Sequence, residues 1–344
     1  MKTMKVAMYY NNNDVRIEQM PIPTISKKEL LVKVKASGIC GSDVMEWYRI
    51  KKAPRVLGHE IAGDIVQVGK HVKKYKAGDR VFVSHHVPCN TCSFCQQDQH
   101  TLCDLLHSTN FYPGGFAEYL KVPEINVDRG TFLLPKEMTY EEGVFIEPLA
   151  CVVRGLRIAR IRRKKGQSVL LLGSGVAGLL NIKLAKAYGA SKIFATDIDK
   201  NRLRYAQKMG ADVAIDAKED IVQKVKQHNE GNLADLVILC AGVPSAVQQA
   251  LSSVAKGGTI LFFAPTKPGV TIPFPLFDLW NNQITMVSTY AGAPRDILEA
   301  IELINTKKVK VTDLITHRLP LRNAAEGFKL AAKAQHSLKV ILKP

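Results

Sequence analysis

The chain has 344 residues, 46 % of them hydrophobic and 23 % charged, a length that at about 150 residues per domain predicts two domains with cores of their own. This composition excludes a disordered or fibrous chain. The excess of 48 Lys+Arg over 31 Asp+Glu, a formal charge of +17, favours anionic partners such as a phosphate-bearing cofactor and carries no information on fold.

The N-terminal segment Met1 to Met8 lacks the apolar run of a secretory signal, and no stretch approaches the ~20 uninterrupted apolar residues of a membrane span. No membrane association is expected, and a cytoplasmic location is the simplest. Basic residues are scattered, with short clusters at Lys73-Lys74-Tyr75-Lys76 and Arg162-Arg163-Lys164-Lys165. Neither cluster is interleaved with aromatic residues as a stacking platform for single strands would be, so no nucleic-acid partner is expected.

The first ~145 residues alternate short β-branched runs, such as Leu30 to Lys35 and Arg80 to Val83, with turn signals at Gly58, Gly63, Gly69 and Gly78-Asp79. This pattern predicts short strands in a barrel-like or sandwiched β region. Within it, Cys40 lies in Gly38-Ile39-Cys40-Gly41-Ser42-Asp43, and Gly58-His59-Glu60 follows after a short loop. A thiolate, an imidazole and a carboxylate form a mixed donor set that, with one position open, suits a catalytic zinc, although a lone Cys and a lone His are also ordinary core or turn residues. Glu147-Pro148, further on, supplies a second candidate carboxylate.

Cys89-x2-Cys92-x2-Cys95-x7-Cys103 places four thiols within fifteen residues. Two short bites and a longer return can wrap a tetrahedral Zn²⁺, and four thiolates leave no coordination site open, so this set predicts a structural metal. The spacing differs from the ferredoxin runs of iron–sulfur proteins. With seven cysteines in all, an odd number, a disulfide framework is not expected. His85 and His86 are assigned no metal, because neighbours on an extended strand point to opposite faces.

From about Gly166 strand-like and helix-like segments alternate: Ser168 to Leu172, Leu179 to Tyr188, Lys192 to Thr196, Asn201 to Met209, Leu236 to Cys240, Ala246 to Ala255 and Thr259 to Phe263. This is the pattern of a parallel sheet with crossover helices. Gly173-Ser174-Gly175-Val176-Ala177-Gly178 stands directly after the first of these strands and opens a helix, and Asp197 follows Gly178 by 19 residues. Together they predict a dinucleotide site: Gly173 for the tight turn, Gly175 for backbone approach to a pyrophosphate, Gly178 for close helix–strand packing, and Asp197 for the ribose 2′-hydroxyl. A carboxylate there repels a 2′-phosphate, so NAD is the expected cofactor. Arg202 either lies over the adenosine half or is a solvated helix charge. Ala241 and Phe263, near the ends of later strands, are expected beside the nicotinamide half. The last ~55 residues hold an amphipathic helix, Arg295 to Asn305, and a terminal strand, Lys339 to Lys343.

Taken together, the motifs at Cys40 to Asp43, Gly58 to Glu60, the four cysteines, Glu147-Pro148-Leu149 and Gly173 to Gly178 resemble those of the zinc-containing medium-chain dehydrogenases. The resemblance covers essentially the whole chain and is greatest to the polyol (sorbitol, xylitol) and threonine dehydrogenase branch. It implies an α/β protein with a GroES-like β catalytic domain, residues 1–147 completed by 288–344, and a Rossmann NAD-binding domain, residues 148–287, with the active site between them. Two zinc ions are implied per chain. The catalytic one would be held by Cys40, His59 and Glu60 or Glu147, and the structural one by Cys89, Cys92, Cys95 and Cys103. Ser42 corresponds to the hydroxyl that takes up the substrate proton while hydride passes to the nicotinamide. The implied activity is oxidation of a secondary alcohol, a polyol or sugar alcohol, to the ketone. L-Threonine 3-dehydrogenation is the alternative within the branch, and a zinc-stabilised nucleic-acid-binding protein is a remote one. A homo-oligomer, tetramer or dimer, is implied, with an exposed strand near Gln283 to Val287 pairing across an interface.

Two departures stand out. The branch has a His three residues after the relay hydroxyl, where this chain has Met45, so either Glu46 or water with the cofactor ribose must carry the proton onward. The interval from Cys40 to His59 is also short, with 18 intervening residues, which trims a loop beside the substrate pocket. Trp47, Tyr48, Phe111, Tyr112 and Phe116 are the aromatic candidates for that pocket.

Overall fold

The computed structural model describes residues 2–162 and 166–344, so the basic residues Arg163, Lys164 and Lys165 lie outside the described residues. The chain divides into two compact units, one formed by Met1–Ala150 with Ala291–Pro344 and the other by Cys151–Tyr290. Both boundaries fall three residues later than the resemblance implies.

Among the described residues sixteen strands run in chain order: β1 (Thr3–Asn11), β2 (Asp14–Pro21), β3 (Leu30–Ile39), β4 (Arg55–Val56), β5 (Glu60–Val68), β6 (Arg80–Val83), β7 (Tyr119–Val122), β8 (Thr131–Leu133), β9 (Ser168–Leu172), β10 (Lys192–Asp197), β11 (Val213–Asp216), β12 (Ala234–Leu239), β13 (Val254–Phe262), β14 (Thr285–Ser288), β15 (Ile315–Pro320) and β16 (Lys339–Lys343).

The first unit holds a three-stranded sheet, β2-β1-β4, and a seven-stranded sheet ordered β15-β16-β3-β5-β6-β8, with β7 also paired to β3. β3 is the organising strand. Its N-terminal half pairs with β7 and its C-terminal end with β16, while β5 runs antiparallel along its other edge. Alternating apolar residues of β3, β5, β6 and β7, including Leu30, Val32, Val34, Ile61, Ile65, Val81 and Leu120, form one core. A second core forms where β1 and β16 meet the helix Ala324–Lys333 around Tyr9, Phe116, Phe328 and Val340.

The second unit is a six-stranded parallel sheet ordered β11-β10-β9-β12-β13-β14. β9 is buried along its whole length, as a central parallel strand covered on both faces must be, which is why its sequence is a continuous apolar run rather than an alternating one. The strand order reverses at β9, between β10 and β12, and the Gly173 to Gly178 turn leaves the sheet there. Helices follow at Val176–Ala187, Lys200–Met209 and Pro244–Ser253. β13 begins at Val254, five residues before the start expected from the sequence, because Gly257 and Gly258 are accommodated within the strand. Among the described residues no helix is long and apolar enough to cross a membrane.

Candidate active site and metal centres

Strand register assembles the mixed donor set within the first unit. Antiparallel pairing places Gly38 of β3 opposite Glu60 of β5, so Cys40, just past the end of β3, comes up beside His59, just before β5. On the other edge of β3, Val340 of β16 pairs with Ile39, which brings Lys339 to the same place. The ligand atoms of Cys40, His59 and Glu60 all lie within 4.8 Å of one another. Gly38 is required for this approach, because a Cβ there would stand 2.2 Å from Glu60 Oε2.

The three donors are held from outside. Asp43, fully buried, faces His59 Nδ1 with Oδ1 at 3.5 Å and accepts the Cys40 N–H on Oδ2 at 3.0 Å. An imidazole so oriented presents its other nitrogen to a metal. Burial opposes charge on His59, yet the Asp43 carboxylate and the Cys40 sulfur outweigh it and hold the His59 pKa well above the ordinary value. Burial likewise raises the Asp43 pKa, but His59 and Arg49 more than reverse this and the carboxyl titrates below its usual range. Lys339, 2 % exposed, donates to Glu60 Oε2 at 2.5 Å. Burial works against its charge, but Glu60 and Cys40 keep its pKa above that of a free lysine. The second carboxylate oxygen, Glu60 Oε1, is buried and has no hydrogen-bond partner among the described residues. A buried anionic oxygen without a donor is costly, and beside a thiol and an imidazole it fits a cation. The donor set suits zinc.

Glu147 does not join this cluster. It lies in the first turn of the helix Ile146–Ile158 and lines a small cavity with Ser84, His85, His86, Ala150 and Gly292, from which its charge reaches Lys339. The structure thus separates the two glutamates that the sequence left as equivalent candidates, because β-register carries Glu60 to the thiol while Glu147 sits on a helix.

His85 and His86 also depart from expectation. β6 ends at Val83, so the two residues are not on an extended strand and do not point to opposite faces. Their rings stack with centroids 3.8 Å apart, and the His85 ring is 4.8 Å from that of His59. Burial is the main cause that keeps both neutral, with His85 held well below the usual histidine value and His86 pushed down to about 3.

Ser42 sits in the short turn Gly41–Val44, whose first N–H groups are capped by Cys40. Glu46, expected with water and the cofactor ribose as the alternative to the His that Met45 replaces, accepts the Asn12 N–H on Oε1 at 3.0 Å. Glu46 is thereby tied to the β1–β2 turn. Arg49, a residue that sequence reasoning passed over, is bonded to Ser42 instead. A basic residue seven positions downstream carries no motif. Of the aromatic candidates, Phe111 and Phe116 belong to the two cores, whereas Tyr48 and Tyr112 are exposed and Trp47 is half-buried.

The four-cysteine segment closes on itself. All four sulfurs lie within 4.8 Å of one another, with Cys92 Sγ to Cys95 Sγ at 3.5 Å and Cys89 Sγ to Cys95 Sγ at 3.9 Å. A tetrahedron with Zn–S bonds of about 2.3 Å has edges of about 3.8 Å, so these separations fit a thiolate cage and are far too long for disulfides. The Thr91 side chain first, and then the Thr91 and Cys92 N–H groups that donate to Cys89 Sγ, draw its pKa down to about 5, while burial is the main cause that pushes Cys95 up to about 12.

In the second unit, the glycine turn has the form that a dinucleotide needs. Gly173 adopts φ +104° and a Cβ there would press on Ala241 at 3.1 Å; a Cβ on Gly178 would lie 2.0 Å from Gly173 O; around Gly175 there is open space at the N-terminus of the helix Val176–Ala187. Val176 and Ala177 form the first turn of that helix, whose amides face the opening. Asp197, at the end of β10, accepts the Ser174 N–H on Oδ2 at 2.9 Å and the Asp199 N–H on Oδ1 at 3.0 Å, with Arg202 Nη1 at 3.6 Å. Its carboxylate therefore also ties the glycine turn to the neighbouring strand. Phe263 follows the end of β13 and donates its N–H to Leu239 O.

Residues 26–129 match the profile of the alcohol dehydrogenase GroES-like domain, and residues 177–306 match that of the zinc-binding dehydrogenases. Sorbitol dehydrogenase of Bacillus subtilis (strain 168) is 32 % identical over 100 % of this chain and 98 % of its own length. L-Threonine 3-dehydrogenase of Bacillus velezensis is 35 % identical, covering 95 % of each chain. Among solved structures, a chain described as a zinc-binding dehydrogenase, from Sinorhizobium meliloti 1021 and bound to NADP, superposes with a TM-score of 0.89 at 28 % identity over 100 % of both chains. The donor set, the glycine turn and these similarities agree: the chain is an oxidoreductase that belongs to the zinc-dependent medium-chain dehydrogenase superfamily, in its polyol and threonine dehydrogenase-like branch.

Proposed function

We propose that the protein oxidises a secondary alcohol, a polyol or sugar alcohol, to the ketone, with NAD as hydride acceptor. The observation that carries this reading is the buried, unpartnered Glu60 Oε1 beside Cys40 and His59. Cys40, His59 and Glu60 would hold one zinc ion, with Glu147 as the carboxylate to exchange with Glu60, and Cys89, Cys92, Cys95 and Cys103 a second. When bound, the catalytic zinc supplies a Lewis acid that makes an alcohol hydroxyl more acidic, and the nicotinamide supplies the hydride acceptor.

The chain's own residues prepare that chemistry. Asp43 keeps the His59 ring oriented, Lys339 restrains one oxygen of Glu60 and leaves the other to the metal, and Ser42 receives the substrate proton. His85 and His86, both neutral, border the site without adding charge to it. Gly173, Gly175 and Gly178 admit the pyrophosphate, while Asp197 favours a free ribose 2′-hydroxyl over a 2′-phosphate, with Arg202 against the same carboxylate. Ala241, packed on Gly173, and Phe263 would border the nicotinamide half.

L-Threonine oxidation is the second reading, favoured by the similarity to the Bacillus velezensis enzyme. The experiment that tests both is zinc content of the isolated protein together with an NAD-reduction screen over polyols, L-threonine and simple secondary alcohols. Two zinc ions per chain and turnover of a polyol support the first reading. Turnover of L-threonine alone transfers the assignment to the second, and no turnover with zinc in place overturns both.

A homo-oligomer, tetramer or dimer, fits the edge position of β14 and the exposed Met286, Phe277 and Trp280 near it. A cytoplasmic location fits the seven free cysteines.

A further inference from the structure

We propose that Arg49 is a positioning residue for the relay hydroxyl: its guanidinium fixes the direction in which Ser42 accepts the substrate proton and passes its own proton to water. The inference rests on the functional reading given above and deepens it at Ser42. Arg49 Nη2 donates to Ser42 Oγ at 3.0 Å and Nε donates to the Ser42 carbonyl at 2.9 Å. Both bonds come from one edge of the guanidinium and end on one residue, so together they lock the serine rotamer. Nη2 also faces Asp43 Oδ1 at 3.5 Å, and the guanidinium lies over the Tyr48 ring, 4.8 Å from its centroid. The Arg49 side chain is 16 % exposed, well shielded for an arginine.

A hydroxyl has two lone pairs and one hydrogen. With Arg49 donating into one lone pair of Ser42 Oγ, the other remains to accept from the substrate hydroxyl, and the Ser42 hydrogen must point elsewhere. In the step itself the substrate O–H bond breaks, a new O–H bond forms on Ser42, and the original Ser42 proton goes to a water molecule, with no electrons exchanged. Arginine has donors and no acceptor and stays charged, so Arg49 cannot take the proton. It therefore orients the relay without being part of it. Met45 has no group that could do either, and the Glu46 carboxylate accepts the Asn12 N–H on Oε1 rather than bonding to Ser42 as Arg49 does.

The test is a double-mutant cycle on the zinc-loaded enzyme with wild type, Arg49→Met, Ser42→Ala and the double variant, measured with the best alcohol of the screen and with NAD. Arg49→Met should lower kcat by about 10- to 100-fold, the worth of one charged hydrogen bond, with little change in KM. In the Ser42→Ala background the same substitution should cost no more than about twofold, because the hydroxyl on which Arg49 acts is gone. Calorimetric binding of trifluoroethanol, an alcohol that resists oxidation, to the NAD complex should show the same coupling without turnover. Zinc content and melting temperature should stay at the wild-type level.

Independent, additive losses would overturn the proposal, as would loss of zinc in Arg49→Met, which would mean that Arg49 acts through Asp43 and His59. If Arg49→Met does not fold, Arg49→Lys carries the same cycle, because a lysine keeps the charge but cannot make both bonds. A wild-type protein that turns over no alcohol overturns the functional reading alone. The trifluoroethanol cycle then still decides on Arg49, and absence of coupling there overturns it.

Discussion

The four-cysteine segment and the Cys40, His59, Glu60 cluster are both candidate zinc sites in the same unit, and they are built in opposite ways. The first takes all its donors from fifteen consecutive residues, Cys89 to Cys103, and needs only short turns to close. The second takes a turn after β3, a residue before β5 and the first residue of β5, and its outer support, Lys339, comes from β16. One site is complete with four sulfurs and has no place for a substrate. The other has three donors and an oxygen still unpartnered. Local closure suits a structural metal, and assembly from distant strands suits a site that must leave a position open.

This contrast can be broken most forcefully at Cys40. Cys40→Ser should lower turnover by a factor on the order of 10³ or more and reduce the zinc content from two to one per chain, while the melting temperature stays close to wild type. Cys92→Ser should also remove one zinc, but with a large fall in melting temperature, since folding of a small lobe is coupled to its metal. If both variants lost stability equally, the distinction between the two sites would fail.

Lys339→Met comes next. It leaves Glu60 buried and unpaired and should cost about 3–5 kcal/mol in denaturant unfolding, with Lys339→Arg recovering a large part. Asp43→Asn leaves the fold in place and should weaken metal affinity at the Cys40 site by about 10- to 100-fold, read by zinc competition with a chelator, with no effect at the cysteine lobe. The smallest effect is expected at Asp197. Asp197→Ser should reduce the preference for NAD over NADP by about tenfold, on the order of 1.4 kcal/mol, measured as the ratio of kcat/KM for the two cofactors. Part of that change would come from freeing the Ser174 and Asp199 amides that the carboxylate now holds.

How much of this was legible in advance follows the same division. The glycine turn after β9 and the cysteine lobe could be read directly, since their chemistry depends on spacing within one turn or loop. The pair Glu60 and Glu147 could not be resolved, because a carboxylate on a strand and one on a helix look alike without register. For His85 and His86 the expected opposite-facing arrangement rested on strand periodicity, and that periodicity stops at Val83. Phe111 and Phe116, candidates for the pocket by proximity in sequence, are core residues. Arg49 and Lys339 gave no signal at all: isolated basic residues in a chain with 48 Lys+Arg are unremarkable until a serine or a buried glutamate is found against them.

By itself, then, the sequence determined the two-unit α/β plan, the parallel sheet with its dinucleotide turn and the four-thiol cage. Each is a consequence of hydrophobic period or of donors a few residues apart, and such local constraints survive without knowledge of the rest of the chain. Only the tertiary structure decided which glutamate stands beside Cys40 and His59, which lysine neutralises it and which arginine holds Ser42. Those choices depend on strand pairing between residues about 300 positions apart, as between Ile39 and Val340, and on the burial that makes an unpaired charge or a missing donor costly.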